Sequence, residues 1–238
     1  MKVALAFLLV PMLFAENGDV AGPILGLLPS SGGLRLVLGI PGAAMAGDAL
    51  ALEFGVSQAA ASGGLAMAVT QPDGRVVAIG RDAQWRAVEG ASAGPAQLLL
   101  SPEARAAALY FPDASVLEIV SGLPGAPAVT RRIDLSGLPA PPGAMAVADD
   151  GAAVAFAAGS LYLLGPDLPR PVAAIGEAAA LAFSGKDVVA AGGDWALLVQ
   201  DVAGAAAVRV LTAEALRVRW RWLPPAGASW WPTPKTPP

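Results

Sequence analysis

The chain of 238 residues contains no cysteine and no histidine. Without cysteine there are no disulfides, no thiol nucleophile, no thiolate-held metal and no lipid attachment at an N-terminal cysteine. The same absence leaves the redox compartment unspecified. Without histidine there is no imidazole base, no histidine-dependent triad and no imidazole metal ligand. Asparagine occurs once, at Asn17. Charged residues are only 14% of the chain, against roughly 25% in ordinary soluble domains. The net charge is −4, and no basic patch is large enough to follow a phosphate backbone, which excludes nucleic acid as a partner.

What the chain does contain is apolar and small. Hydrophobic residues make up 55%, and alanine alone accounts for about one residue in five. Glycine and proline are frequent but stand between apolar runs, as punctuation rather than as disordered tracts. This length buries a sizeable core in a single domain.

The punctuation is periodic. Short apolar strands are predicted at 96–100, 106–111, 116–120 and 128–135, with a Ser101-Pro102-Glu103 turn after the first. The series restarts at 144–148, turns at Asp149-Asp150-Gly151, and continues through 153–157, 161–164 and 172–175. It restarts again at 179–183, turns at Ser184-Gly185-Lys186-Asp187, and continues through 188–191, 195–199 and 206–211. A fainter unit has strands at 65–70, 76–79 and 85–88, with a Gln71-Pro72-Asp73-Gly74 turn in which proline presets φ and glycine accepts positive φ. Four units result, at about 54–90, 94–138, 142–176 and 178–212. They follow an N-terminal hairpin at 23–28 and 34–38, and residues 39–44 read as a loop. Units of this length, each of several short strands, predict an all-β array of four-stranded antiparallel blades.

The segment Leu197-Leu198-Val199-Gln200-Asp201-Val202-Ala203-Gly204, followed by 208–211, resembles the third strand, Asp turn and fourth strand of WD40- or YVTN-type propeller blades. Leu98-Leu99-Leu100-Ser101-Pro102-Glu103 resembles the inner strand and Ser-Pro-acidic turn of the same blades. The N-terminal hairpin running into Leu38-Gly39-Ile40-Pro41-Gly42 is similar to the start of exported propeller-like proteins of soil bacteria. The resemblance covers about residues 23–212 and implies a β-propeller. Such families usually carry seven blades where four to five are visible here. The sequence therefore leaves a closed ring, an incomplete arc and a truncated longer ancestor all open.

Both ends differ from the middle. Met1-Lys2 followed by twelve apolar residues at 3–14 has the layout of a secretory signal, with Ala15 before the cut. A first core strand is the other reading. A membrane anchor needs about 20 apolar residues and is excluded by length. The expected organisation is a signal peptide at 1–15, a repeat domain at 16–216 and a Trp/Pro-rich tail at 217–238. In that tail Arg217, Arg219 and Arg221 alternate with Val218, Trp220 and Trp222, and Trp230 and Trp231 lie among six prolines. The alternation reads as a strand. The alternatives are an Arg/Trp surface for anionic lipid or protein, and a shifted reading frame.

No candidate catalytic, cofactor or metal residue emerges. Asp149 and Asp150 are the densest acidic pair, but neighbours on a turn diverge instead of facing each other across a substrate. Asp73 and Asp187 take the same turn role, and no Asp-x-Asp-x-Asp-Gly calcium spacing is present. Lys186 lacks the first glycine and the helix of a phosphate loop. The scarcity of asparagine argues against a lactonase-type cation site, and no aromatic-lined polar cluster suits a quinone. The expectation is an exported, non-enzymatic scaffold for a protein or ligand, with a protein partner engaged through its blade loops. The rivals are a hydrolase or lyase with its site in a central channel, and a truncated homologue without independent function.

Overall fold

A computed structural model describes residues 24–30, 33–40, 42–193 and 195–211, and every regular element among them is a β-strand. The first sheet comprises β1 (Ile24–Ser30), β2 (Gly33–Ile40) and β3 (Ala43–Ala49). The second comprises β4 (Gly55–Ser62), β5 (Leu65–Gln71), β6 (Val76–Gly80) and β7 (Trp85–Ala87). The third comprises β8 (Gln97–Leu100), β9 (Ala107–Phe111), β10 (Val116–Ser121) and β11 (Ala128–Asp134). The fourth comprises β12 (Ala144–Val147), β13 (Ala153–Ala157), β14 (Ser160–Leu164) and β15 (Arg170–Ala174). The fifth comprises β16 (Ala180–Ser184), β17 (Asp187–Ala191), β18 (Ala196–Gln200) and β19 (Ala207–Leu211). Each sheet is an antiparallel meander in chain order, so the predicted four-stranded units stand where the turn residues put them.

The sheets pack face to face, and the first strand of each lies beside the first strand of the next. Period-two alternation sets this up, because alternate side chains leave a strand on opposite faces. On β5, Leu65, Met67 and Val69 turn toward the third sheet while Ala66 and Ala68 turn toward the first. On β10, Val120 faces the second sheet, and Leu117 and Ile119 face the fourth. Phe183, Val188, Ala190 and Val199 of the fifth sheet meet Ala146, Val154 and Leu161 of the fourth. Each large side chain buried this way contributes about 1.5–3 kcal/mol. Four clusters fill the spaces between consecutive sheets; among the described residues none joins the fifth sheet to the first. These residues form an open arc.

Two expectations need correction. Residues 39–44 were expected to be a loop by composition. Instead β2 runs to Ile40, and after a turn with Gly42 at φ 93° the chain returns as β3. Backbone pairing, Ile40 opposite Ala43 and Leu38 opposite Met45, makes this strand without a buried side-chain pattern. Likewise, β4 carries Ser57-Gln58-Ala59-Ala60-Ala61-Ser62, small residues without the β-branched signature that marks strands.

The first sheet also departs from the four-stranded rule. Gly26 lies against Gly63 in the β4–β5 turn, and Arg81 Nη1 donates to the Ile24 carbonyl at 3.2 Å. Thus β1 starts at the end where β4 finishes and runs opposite to it, as a second strand does in the other sheets. No described residue fills the innermost position of that sheet. The predicted signal at 1–15 and the tail at 217–238, with its strand at 217–222, lie outside the described residues.

Candidate functional site

The residues singled out in the sequence lie on separate sheets and do not converge. Thr70 Oγ1 donates to Asp73 Oδ1 at 2.5 Å and Arg75 Nε donates to Oδ2 at 2.6 Å. The Thr70 bond, helped by Arg75, holds the Asp73 carboxyl below the usual range. Asp187 Oδ1 accepts the Asp201 amide at 2.8 Å, and Lys186 Nζ lies 3.7 Å from Asp201 Oδ1. Asp150 Oδ1 accepts the Ala152 amide at 2.9 Å, an Asx turn of the expected kind.

Asp149 does more than shape its turn. Its Oδ1 accepts the Glu103 amide at 3.0 Å, across the junction between the third and fourth sheets. Burial pushes this carboxyl up. Hydrogen bonding from Ser101, Glu103 and Arg105, with the Arg105 charge, outweighs that and lowers it. Ser101, fully buried, accepts the Arg105 and Ala106 amides at 3.0 Å each. On the same junction Arg131 Nη2 donates to the Gly151 carbonyl at 2.5 Å. The Asp-Asp-Gly turn is a fastener between sheets.

The strongest polar site in the described residues was not foreseen. Glu118 on β10 is 1% exposed. Its Oε2 accepts the Ser92 amide at 3.0 Å, and its Oε1 accepts Ser92 Oγ at 2.7 Å and Arg132 Nε at 2.9 Å. Arg132 Nη2 continues to the Gly90 carbonyl at 2.8 Å. Burial would raise this carboxyl, but the Ser92 bonds and Arg132 hold it below its ordinary value. Beside it, the Glu89 amide and carbonyl pair with Pro127 O and Val129 N at 2.9 and 2.8 Å, a parallel bridge to the outer strand of the third sheet. Glu118 therefore ties down the connection between the second and third sheets. A lone acid within Val116-Leu117-Glu118-Ile119-Val120 was the available signal.

The polar side chains of inner strand β4 are bonded internally. Ser57 Oγ donates to Val69 O at 3.1 Å, Gln58 Nε2 to Ala96 O at 3.1 Å, and Ser62 Oγ to Pro102 O at 2.8 Å. The side chains of β12 are Ala144, Met145, Ala146 and Val147. Among the described residues no three carboxylates gather as a cation site.

Clefts open instead between the sheets. One of about 510 Å³ lies between the second and third sheets, where Gln84 and Arg86 of the second sheet face Pro124 and Gly125. The Trp85 ring leaves β7 on the other face, toward the first sheet: its indole N–H donates to Glu53 Oε1 at 2.9 Å, and the ring meets Phe54 edge-on at 5.4 Å. Others lie around Tyr110 and Pro139–Pro142, and around Phe156, Glu177 and Trp195. Burial raises the Tyr110 hydroxyl above its ordinary value.

Radial four-stranded meanders with adjacent inner strands are an architecture shared with solved structures. Hsv2 of Kluyvelomyces marxianus superposes with a TM-score of 0.53 at 9% identity, covering 81% of this chain and 73% of that one. The fold is that of a β-propeller. A functionally unknown protein from Desulfotomaculum acetoxidans is similar at a TM-score of 0.50 and 11% identity, over 75% of this chain and 62% of that one. No family model and no curated protein matches the sequence. The predicted propeller resemblance holds for the fold, and each sheet is a blade.

Proposed function

We propose that this propeller is a non-enzymatic interaction scaffold that engages a protein partner through its blade loops. A propeller supports enzymes and binding modules alike, so the reading rests on the site and not on the fold. The observation that carries it is the disposition of polar groups. The hydroxyls and amide of inner strand β4 close internal hydrogen bonds, whereas Gln84 and Arg86 line an open cleft beside the loop at Pro124–Gly125. Arginine is a residue type that anchors protein interfaces, and the strand presenting Arg86 is held from its other face by Trp85 bonded to Glu53 and packed on Phe54. Export of the chain, with cleavage after Ala15, is part of the same proposal. It is supported by the charged start and apolar run of the first fifteen residues.

The test places a photo-activatable side chain at Arg86 or Gly125 of the full chain in its native host, with Asp113 as a control at the opposite end. The same adduct from both cleft positions is expected, absent from the control and, for the probe at Gly125, lost on Arg86→Ala. Equal labelling at all three sites overturns the reading. So does turnover of ester, lactone or elimination substrates that inner-strand substitutions abolish. Mature protein starting at Glu16 is expected; Met1 on cytoplasmic protein overturns export.

A further inference from the structure

The fifth blade ends the described arc with an uncovered face. Ala180 and Ala182 of β16 are exposed on it, and Val189 and Leu198 are half-buried. The opposite face of the same strand sends Leu181 and Phe183 into the core shared with the fourth blade.

Two of the three junctions between described inner strands share a size pattern, whereas at the third Leu99 of β8 meets Met145 and Val147 of β12. Ala60 of β4 packs toward Leu98 and Leu100 of β8. Ala146 of β12 packs toward Leu181 and Phe183 of β16. In both, the earlier strand presents small side chains and its successor supplies large ones, which fills the space without overpacking. By that pattern, the small Ala180 and Ala182 await a strand with large apolar residues at alternate positions.

The chain supplies one in phase. Linkers of nine residues, 88–96 and 135–143, or of five, 50–54 and 175–179, carry the chain from the outer strand of one sheet to the inner strand of the next. After β19 ends at Leu211, five residues, the shorter of these lengths, lead to Arg217, where Arg217-Val218-Arg219-Trp220-Arg221-Trp222 begins. Strict alternation puts Val218, Trp220 and Trp222 on one face of a strand and the three arginines on the other. We infer that residues 217–222 are the next inner strand of the arc, seated on the free face of the fifth blade with Trp220 and Trp222 against Ala180 and Ala182. The connection is local and needs no second molecule.

The absence of native cysteine makes a direct test available. In the full chain, Ala182→Cys is combined in turn with Val218→Cys, Trp220→Cys or Trp222→Cys and treated with a short bis-maleimide. Leu28→Cys, on the free face of the first sheet, replaces Ala182→Cys in the control. The expected result is an adduct within one chain for at least one Ala182 pair, with the peptide containing residue 182 joined to that containing 217–222. In a second measurement, Ala182→Asp is expected to shift tryptophan emission to the red and raise iodide quenching while the β-sheet spectrum is retained. Adducts only between chains would assign the face to a second copy and overturn the inference. No adduct from any pair in a folded protein, or quenching unchanged by Ala182→Asp, would overturn it equally.

Discussion

Replacing Glu118 by glutamine keeps the side-chain shape and removes the charge from a buried polar site of the third blade. The wild-type carboxylate accepts two bonds from Ser92 and one from Arg132. Hydrogen bonds to a charged group contribute about 1.5–3 kcal/mol each, and glutamine keeps one oxygen to accept with. Its amide nitrogen then meets a donor where an acceptor stood. Relief from burying a charge offsets part of that loss. The expected net destabilisation is about 2 kcal/mol, and a chain of this size loses about 2–4 °C per kcal/mol. A thermal melt followed by circular dichroism at neutral pH should show the drop, and Arg132→Gln on the Glu118→Gln background should add little to it.

The pH dependence checks the cause. The folded carboxyl of Glu118 lies below its unfolded value of 4.5. A depressed carboxylate contributes stability that is present above the unfolded pKa and is lost as pH falls through the folded one. The gap between wild type and Glu118→Gln should therefore be full at pH 7 and narrow steadily below about pH 4.5. A variant that melts with the wild type at pH 7, or a gap of the same size at pH 3, would refute the idea that charge at this position holds the linker.

Asp149→Ala removes the acceptor for the Glu103 amide between the third and fourth blades, and should cost about 1 kcal/mol in a denaturant titration. That loss should also shrink on acidification, because Asp149 is likewise depressed. Gly122 has φ 80°, and a methyl group there would collide with the Ala126 carbonyl oxygen, so Gly122→Ala should destabilise by at least about 1 kcal/mol; a silent substitution would mean the turn readily re-forms. Leu109→Ala opens a cavity between the second and third blades and should cost about 2–5 kcal/mol by chemical unfolding. Cutting the chain after Leu223 should leave the melting temperature unchanged, whereas cutting after Leu216 should lower it by several degrees.

The blades were legible because their boundaries are chemical events. Pro72-Asp73-Gly74, Asp149-Asp150-Gly151 and Ser184-Gly185-Lys186 each combine residues that stop a strand and tolerate a tight reversal. The inner strand β4 was not legible, because an alanine-rich strand between two sheets is selected for closeness of packing rather than for intrinsic strand preference. The partners of the polar residues were hidden for another reason. Asp149 bonds an amide 46 residues away and Glu118 bonds one 26 residues away, distances that only the radial stacking of blades converts into contact. A turn residue looks the same in sequence whether its carboxylate faces water or the next blade.

That ambiguity bears directly on function. In this propeller the acids most easily mistaken for chemistry, Asp149 and Glu118, are spent on joining neighbouring blades. The described inner strands are mostly apolar, and the serines and glutamine of β4 are internally bonded. On the proposed reading, recognition falls to the rim of loops and clefts, where Arg86 faces Pro124 and Gly125 from a strand that Trp85, bonded to Glu53, holds rigid. Rigidity of that kind lowers the entropy lost on binding. Loosening it by Glu53→Gln should therefore weaken a partner held at Arg86 while leaving the blades folded. A partner indifferent to Glu53→Gln would have to bind elsewhere on the ring.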